Sequence, residues 1–174
     1  MFRNKVLRRM GVSAVALVSL GAVLLGSTAA TAAPPAGTLG SLTNIPATGS
    51  DLIAPKVHTS AGCDPAADQY NLFVTGPGAF ATAGGGLGYL QVSSAVNLST
   101  TAGFDVQFGV SMKDAAADLG TSLVAGEYDL RLECVDSFSG QVFGTFTGAL
   151  YFTSPTAYQS TDPNGPTPTA KARP

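Results

Sequence analysis

Apolar and polar residues alternate with a period of two along most of this chain. Val57, Thr59, Ala61 and Cys63 are interleaved with Lys56, His58 and Ser60; Tyr70, Leu72 and Val74 with Asn71 and Phe73; Phe104, Val106, Phe108 and Val110 with Asp105, Gln107 and Gly109. Each set predicts a strand with one buried face. The cleanest run is Glu127-Tyr128-Asp129-Leu130-Arg131-Leu132-Glu133-Cys134, in which apolar and charged residues alternate without a fault, so Tyr128, Leu130, Leu132 and Cys134 should face a core. A last strand from Val142 to Phe152 puts Val142, Phe146, Leu150 and Phe152 on one face and Phe143, Thr145, Thr147 and Tyr151 on the other. A leading strand is expected near Leu39 to Ile45, and one or two more between Leu87 and Leu98. Only Lys113 to Leu119 reads as helix.

Turn signals separate the runs, among them Asp64-Pro65, Gly76-Pro77-Gly78, Gly84-Gly85-Gly86, Gly120, Gly126 and Ser139-Gly140. The expected fold class is all-β, with about seven or eight strands in one domain. Strands spaced without long helices argue against a parallel α/β sheet.

The N-terminal 32 residues follow a different pattern. Arg3, Lys5, Arg8 and Arg9 precede an apolar stretch from Val12 to Leu25 and then a run of small residues, the order of a secretory signal peptide, with Ala30-Thr31-Ala32 as the expected cleavage site. The apolar stretch falls short of the roughly 20 residues of a membrane span. Arg8-Arg9 is not followed by a twin-arginine consensus, so general secretion is expected. No cysteine near the cleavage region could carry a lipid. The domain plan is therefore a signal peptide over 1–32, a leader over 33–36, a folded domain over 37–159 and a disordered Pro/Thr-rich tail over 160–174.

Cleavage changes the charge. The chain holds nine basic and eleven acidic residues; losing the four leading basic residues leaves five against eleven, a net charge of −6. Such a domain lacks the basic stripe that phosphate binding needs, which excludes a nucleic-acid partner, and anionic membrane surfaces are disfavoured likewise. The expected location is extracellular or at the cell wall, with no membrane association after cleavage.

The segment Gly126-Glu127-Tyr128-Asp129-Leu130-Arg131-Leu132-Glu133-Cys134 resembles the G-x-Y-x-L-x-L-x-C penultimate strand of bacterial immunoglobulin-like domains, of the kind found in secreted proteins of high-GC Gram-positive bacteria. The resemblance covers about residues 37 to 158 and implies a Greek-key β-sandwich. Two positions depart from the antibody pattern: the chain has no Trp, and Tyr128 stands six residues before Cys134, not two. Cys63 and Cys134 are the only cysteines. Exported thiols tend to pair, and the resemblance implies a bridge between two sheets; free or metal-binding thiols are the alternative.

Candidate chemistry is sparse. Glu127 and Asp129 would sit about 7 Å apart on one strand face, a spacing that could serve an inverting glycosidase, but they also belong to a charged stripe with Arg131 and Glu133 that suits a solvated face. His58 is the sole histidine and no G-x-S-x-G elbow accompanies it. One His and two pairing cysteines cannot fill a zinc site. Asp64, Asp68 and Asp136 read as turn aspartates with no EF-hand spacing. Gly84 to Gly88 is followed by strand-like residues, where a phosphate loop needs a helix. Ile45-Pro46-Ala47-Thr48-Gly49 mimics a sortase motif but reads as a turn.

The working surface expected from the sequence is the outward row Phe143, Thr145, Thr147 and Tyr151, able to stack on sugar rings or on a partner protein. The expected function is a secreted, non-catalytic binding or display module that needs no cofactor and no metal, with an extracellular protein or a cell-wall glycan as partner. The alternatives are a small secreted carbohydrate-active hydrolase using Glu127 and Asp129, and a ligand-binding sandwich with a pocket between its sheets or under Gly84–Gly88.

Overall fold

The uninterrupted alternation at Gln69–Thr75 (β4) and Gly126–Val135 (β7) forms the two central strands, paired antiparallel from Gln69↔Val135 to Thr75↔Asp129. Their inward residues Tyr70, Leu72, Val74, Tyr128, Leu130, Leu132 and Cys134 are buried. A computed structural model describes residues 37–81, 90–92 and 98–165. Residues 1–36, where a signal peptide and leader are expected, the Gly84–Gly88 run and the residues beyond Gly165 lie outside the described residues. Those that are described fall in one compact unit, Pro34–Pro174.

Among the described residues the remaining strands are β1 (Thr38–Ile45), β2 (Thr48–Ser50), β3 (Lys56–Thr59), β5 (Leu90–Gln91), β6 (Asp105–Gln107), β8 (Val142–Ser154) and β9 (Ala157–Gln159). They form one curled, mixed sheet in the order β5-β4-β7-β8-β1-β3-β6, with β9 and β2 attached beyond the end of β8. The all-β expectation holds. The leading strand and the Val142 strand fall where the pattern puts them, whereas β2 and β9, three residues each, are too short to show a period.

The curl originates in β1. Its first half lies parallel to β8, pairing Thr38↔Thr145, Gly40↔Phe146 and Ser41↔Thr147, and its second half runs antiparallel to β3 from Leu42↔Thr59 to Ile45↔Lys56. One strand thus joins two halves of the sheet. Glycine permits the crossing, because a Cβ on Gly148 would stand 2.8 Å from the Leu42 Cβ and 2.9 Å from its carbonyl oxygen. Beyond the last β1–β8 pair, the Asn44 side chain donates its amide to the Ala149 carbonyl at 2.7 Å.

The disulfide links the same two halves from within. Cys63, four residues past β3, is bonded to Cys134 in β7, and β3 and β7 are not neighbours in the sheet. Around the bridge, Val57, Phe104, Val106 and Phe108 join the β4, β7 and β8 side chains in a single core cluster. The predicted helix is α1 (Met112–Asp118), capped by Ser111, whose hydroxyl accepts from the Asp114 N–H at 3.1 Å; it buries Met112, Ala115 and Ala116. Gly120, at φ +64°, ends it in the left-handed region that glycine favours.

Tyr128 anchors the other end of β7. Its ring stacks edge-on against Phe80 and Phe152, with centroids 5.1 Å away in both cases. Its hydroxyl accepts from the Val124 N–H and donates to the Val124 carbonyl, each at 3.2 Å. This ties the corner preceding β7 to the strand itself.

Candidate functional site

The outer face of β4, β7 and β8 carries the polar half of the alternation, and the strand register sorts it into rows. Phe73, Arg131 and Thr147 form one row; Thr75, Asp129 and Ala149 the next; Glu127 and Tyr151 lie opposite each other near the end of the sheet. Arg131 bonds Glu133 on its own strand at 2.9 Å.

Two clefts interrupt this face. One of about 350 Å³ is lined by Phe73, Thr75, Asp129, Leu130, Arg131, Thr147 and Gly148. The other, about 500 Å³, lies between the start of β7, the end of β8 and the segment Asp162-Pro163-Asn164. In the larger cleft the Tyr151 hydroxyl donates to Glu127 Oε1 at 3.0 Å. That bond is the main reason the Tyr151 hydroxyl is harder to ionise than usual, with burial and the charges of Glu127, Asp162 and Asp129 adding to it. Burial, and then the Glu127 charge, raise the Asp129 carboxyl above its usual range.

The wall of the larger cleft comes from residues distant in sequence. Ser160 holds the segment in place, its N–H and hydroxyl both donating to the Ala47 carbonyl, and Asp162 turns the chain by accepting from the Asn164 N–H at 2.8 Å. These residues belong to the stretch that the composition reads as tail.

The predicted outward row is divided by the structure. Tyr151 lines the larger cleft and Thr147 the smaller. Thr145 is half-buried opposite Glu133, with its N–H bonded to the Gly37 carbonyl. Phe143 leaves the row: pairing jumps from Cys134↔Gly144 to Val135↔Val142, so Phe143 is the extra residue of a bulge and packs against the core cluster. Glu127 and Asp129 share a face, yet each lines a different cleft.

The other candidates lie apart from this face. His58 Nδ1 is 2.7 Å from Asp105 Oδ1, and Lys56 Nζ is 2.9 Å from Oδ2 of the same carboxylate. The hydrogen bonds from His58 and then Lys56 hold the Asp105 carboxyl below its usual range. Among the described residues no hydroxyl hydrogen-bonds the other ring nitrogen of His58, which sits against Gly103. Asp68 accepts from the Ser137 N–H and hydroxyl at 2.7 Å, Asp136 accepts from the Ser139 N–H and hydroxyl, and Asp64 accepts from the Ala66 N–H. The Asp64 and Asp136 bonds are local turn contacts, whereas Asp68 ties the segment before β4 to the β7–β8 turn. Among the described residues no group of three His, Cys, Asp or Glu could hold a metal ion.

Sequence reasoning missed three features. Phe73 and Arg131 sit in register across β4 and β7, a relation visible only once the pairing is known. The Asp162–Asn164 wall is signalled only as a turn by its Asp-Pro-Asn-Gly composition. Phe138, at the tip of the β7–β8 turn, is 99% exposed while the aspartates beneath it fix the loop. Comparison with protein-family models, with curated proteins and with solved structures returns no match for this chain.

Proposed function

We propose that the chain is a secreted, non-catalytic immunoglobulin-like module that acts by binding at or beyond the cell surface through the outer face of β4, β7 and β8. The observation that carries this reading is the pair of clefts on that face, each combining an aromatic ring with polar side chains in strands fixed by the core beneath. The immunoglobulin-like assignment draws on three further features. The first strand pairs in parallel with β8 and also reaches β3; the disulfide joins the loop that follows β3 to β7, a strand not adjacent to β3; and the Tyr128 hydroxyl bonds to the backbone four residues upstream, as a tyrosine corner does. The bond is made from the start of the strand, six residues before Cys134.

Extracellular placement is supported by the disulfide, which persists in oxidising compartments, and by the signal-peptide pattern of residues 1–32. The non-catalytic reading is supported by the separation of Glu127 and Asp129 into two clefts, since a glycosidase pair must flank one bond. The test is retention of the purified mature protein on washed cell-envelope material, with the variants Phe73→Ala, Arg131→Ala and Tyr151→Ala alongside. Retention lost in at least one of these variants, with melting temperature preserved, is expected. No retention of the parent protein, or equal retention of all three variants, would refute it.

A further inference from the structure

We infer that the larger cleft is a saccharide subsite that takes an uncharged pyranose, stacked on Tyr151 and hydrogen-bonded by Glu127, Asp162 and Asn164. This deepens the proposed binding role and rests on it. The cleft's volume, about 500 Å³, falls inside the range of small-molecule sites. Its lining combines the apolar residues Ala125, Tyr151, Phe152 and Pro163 with the polar residues Glu127, Thr153, Asp162 and Asn164. That division matches a sugar ring, which offers a face of C–H groups to an aromatic ring and an edge of hydroxyls to acceptors.

Preorganisation strengthens the assignment. The Tyr151 hydroxyl is already fixed on Glu127, so the ring is oriented before a ligand arrives and little rotamer entropy remains to be lost on binding. The Asp162 turn likewise sets Asn164 in place through its backbone. Charge selects among sugars. Among the described residues no cationic side chain lines the cleft, and its two carboxylates repel uronic or sialic acids while accepting hydrogen bonds from neutral hydroxyls or acetamido N–H groups.

The uncharged pyranose could belong to a hexose polymer or to an N-acetylhexosamine polymer, and the probes separate the two. Cellotetraose, chitotetraose and tetragalacturonate are titrated into the ¹⁵N-labelled mature protein up to about 10 mM, a range that detects dissociation constants near 1 mM. At least one neutral tetrasaccharide should shift the amides of Glu127, Tyr151 and Asn164, and tetragalacturonate should bind about tenfold more weakly or not at all. Tyr151→Ala should weaken binding about tenfold, whereas Tyr151→Phe, which keeps the ring, should stay within about threefold. Asn164→Ala, on an exposed turn, offers a second variant that leaves the sheet untouched and should weaken binding several-fold. The inference is overturned if neither neutral probe shifts those amides, if tetragalacturonate binds as well as they do, or if folded Tyr151→Ala and Asn164→Ala bind like the parent. Envelope retention that ignores both variants but is lost on Phe73→Ala or Arg131→Ala would overturn the saccharide subsite and leave the binding-module reading standing.

Discussion

Replacing Tyr128 with Phe removes a single oxygen atom from the corner that leads into β7. The ring is fully buried and its stacking on Phe80 and Phe152 survives the change, so the perturbation isolates two hydrogen bonds to Val124. Each such bond contributes a net ~0.5–1.5 kcal/mol. Val124 is 46% exposed, so water can reach its backbone groups once the hydroxyl is gone, which keeps the loss toward the lower end of the sum. The expected destabilisation is therefore about 1–2 kcal/mol. For a domain of this size that lowers the melting temperature by roughly 4–8 °C. With no Trp in the chain, urea unfolding is best followed by far-UV circular dichroism. The variant should shift the midpoint and leave the m-value unchanged. Alkaline pH supplies a second readout: burial raises the folded-state pKa of Tyr128, so its contribution is complete below the unfolded-state value and is lost as pH rises through the folded one. Tyr128→Phe should make the alkaline limb shallower, while the also-buried Tyr158 keeps part of it. A change below about 0.5 kcal/mol, the ordinary range of a surface substitution, would mean that the corner bond does not hold β7 in place.

Four other outcomes follow from the same geometry. The Cys63→Ala/Cys134→Ala variant opens a loop closed over a sequence separation of 71 residues and should lose about 4 kcal/mol in urea relative to the oxidised parent, with parent and variant converging once reductant is added. Asp129→Asn should raise the melting temperature at neutral pH, because burial and the Glu127 charge raise the carboxyl's folded-state pKa; the gain should disappear below the unfolded-state value near 3.8, where both states are protonated. Gly148→Ala drives a methyl into the Leu42 backbone at the β1 crossing and should cost about 1–3 kcal/mol by chemical denaturation. Phe138→Ser, on a fully exposed side chain, should leave stability within about 0.5 kcal/mol, so that any effect it has on envelope retention reports on binding alone.

The alternation made β4, β7 and much of β8 legible because each has one face in the core and one in solvent, which is the condition for a period of two. The helix was legible from Lys113 to Leu119 for the same reason at a different period. Two classes of feature escaped. Three-residue strands such as β2 and β9 hold too few side chains to repeat, and they are set by pairing with each other and with the end of β8. Register features, namely the bulge at Phe143 and the passage of β1 from β8 to β3, depend on the partner strand and leave no local mark. The candidate site shows the same divide. Tyr151 and Thr147 could be placed outward from their own strand, but the clefts they line need Phe73 from β4 and Asp162 from beyond β9. The pairing of Cys63 with Cys134 was legible from composition and context, and the bridge ties the loop after β3 to β7.

Binding through the outer face of β4, β7 and β8 is the proposed mode of action of this protein. Hydrogen-exchange mass spectrometry of the mature protein, with and without saturating washed cell-envelope material, addresses it most directly. The prediction is slowed exchange in peptides covering 127–131 and 147–151, with the opposite edge at β3 and β6 unchanged. Protection confined to the 136–141 turn or to the β3–β6 edge, or no protection anywhere, would contradict the claim.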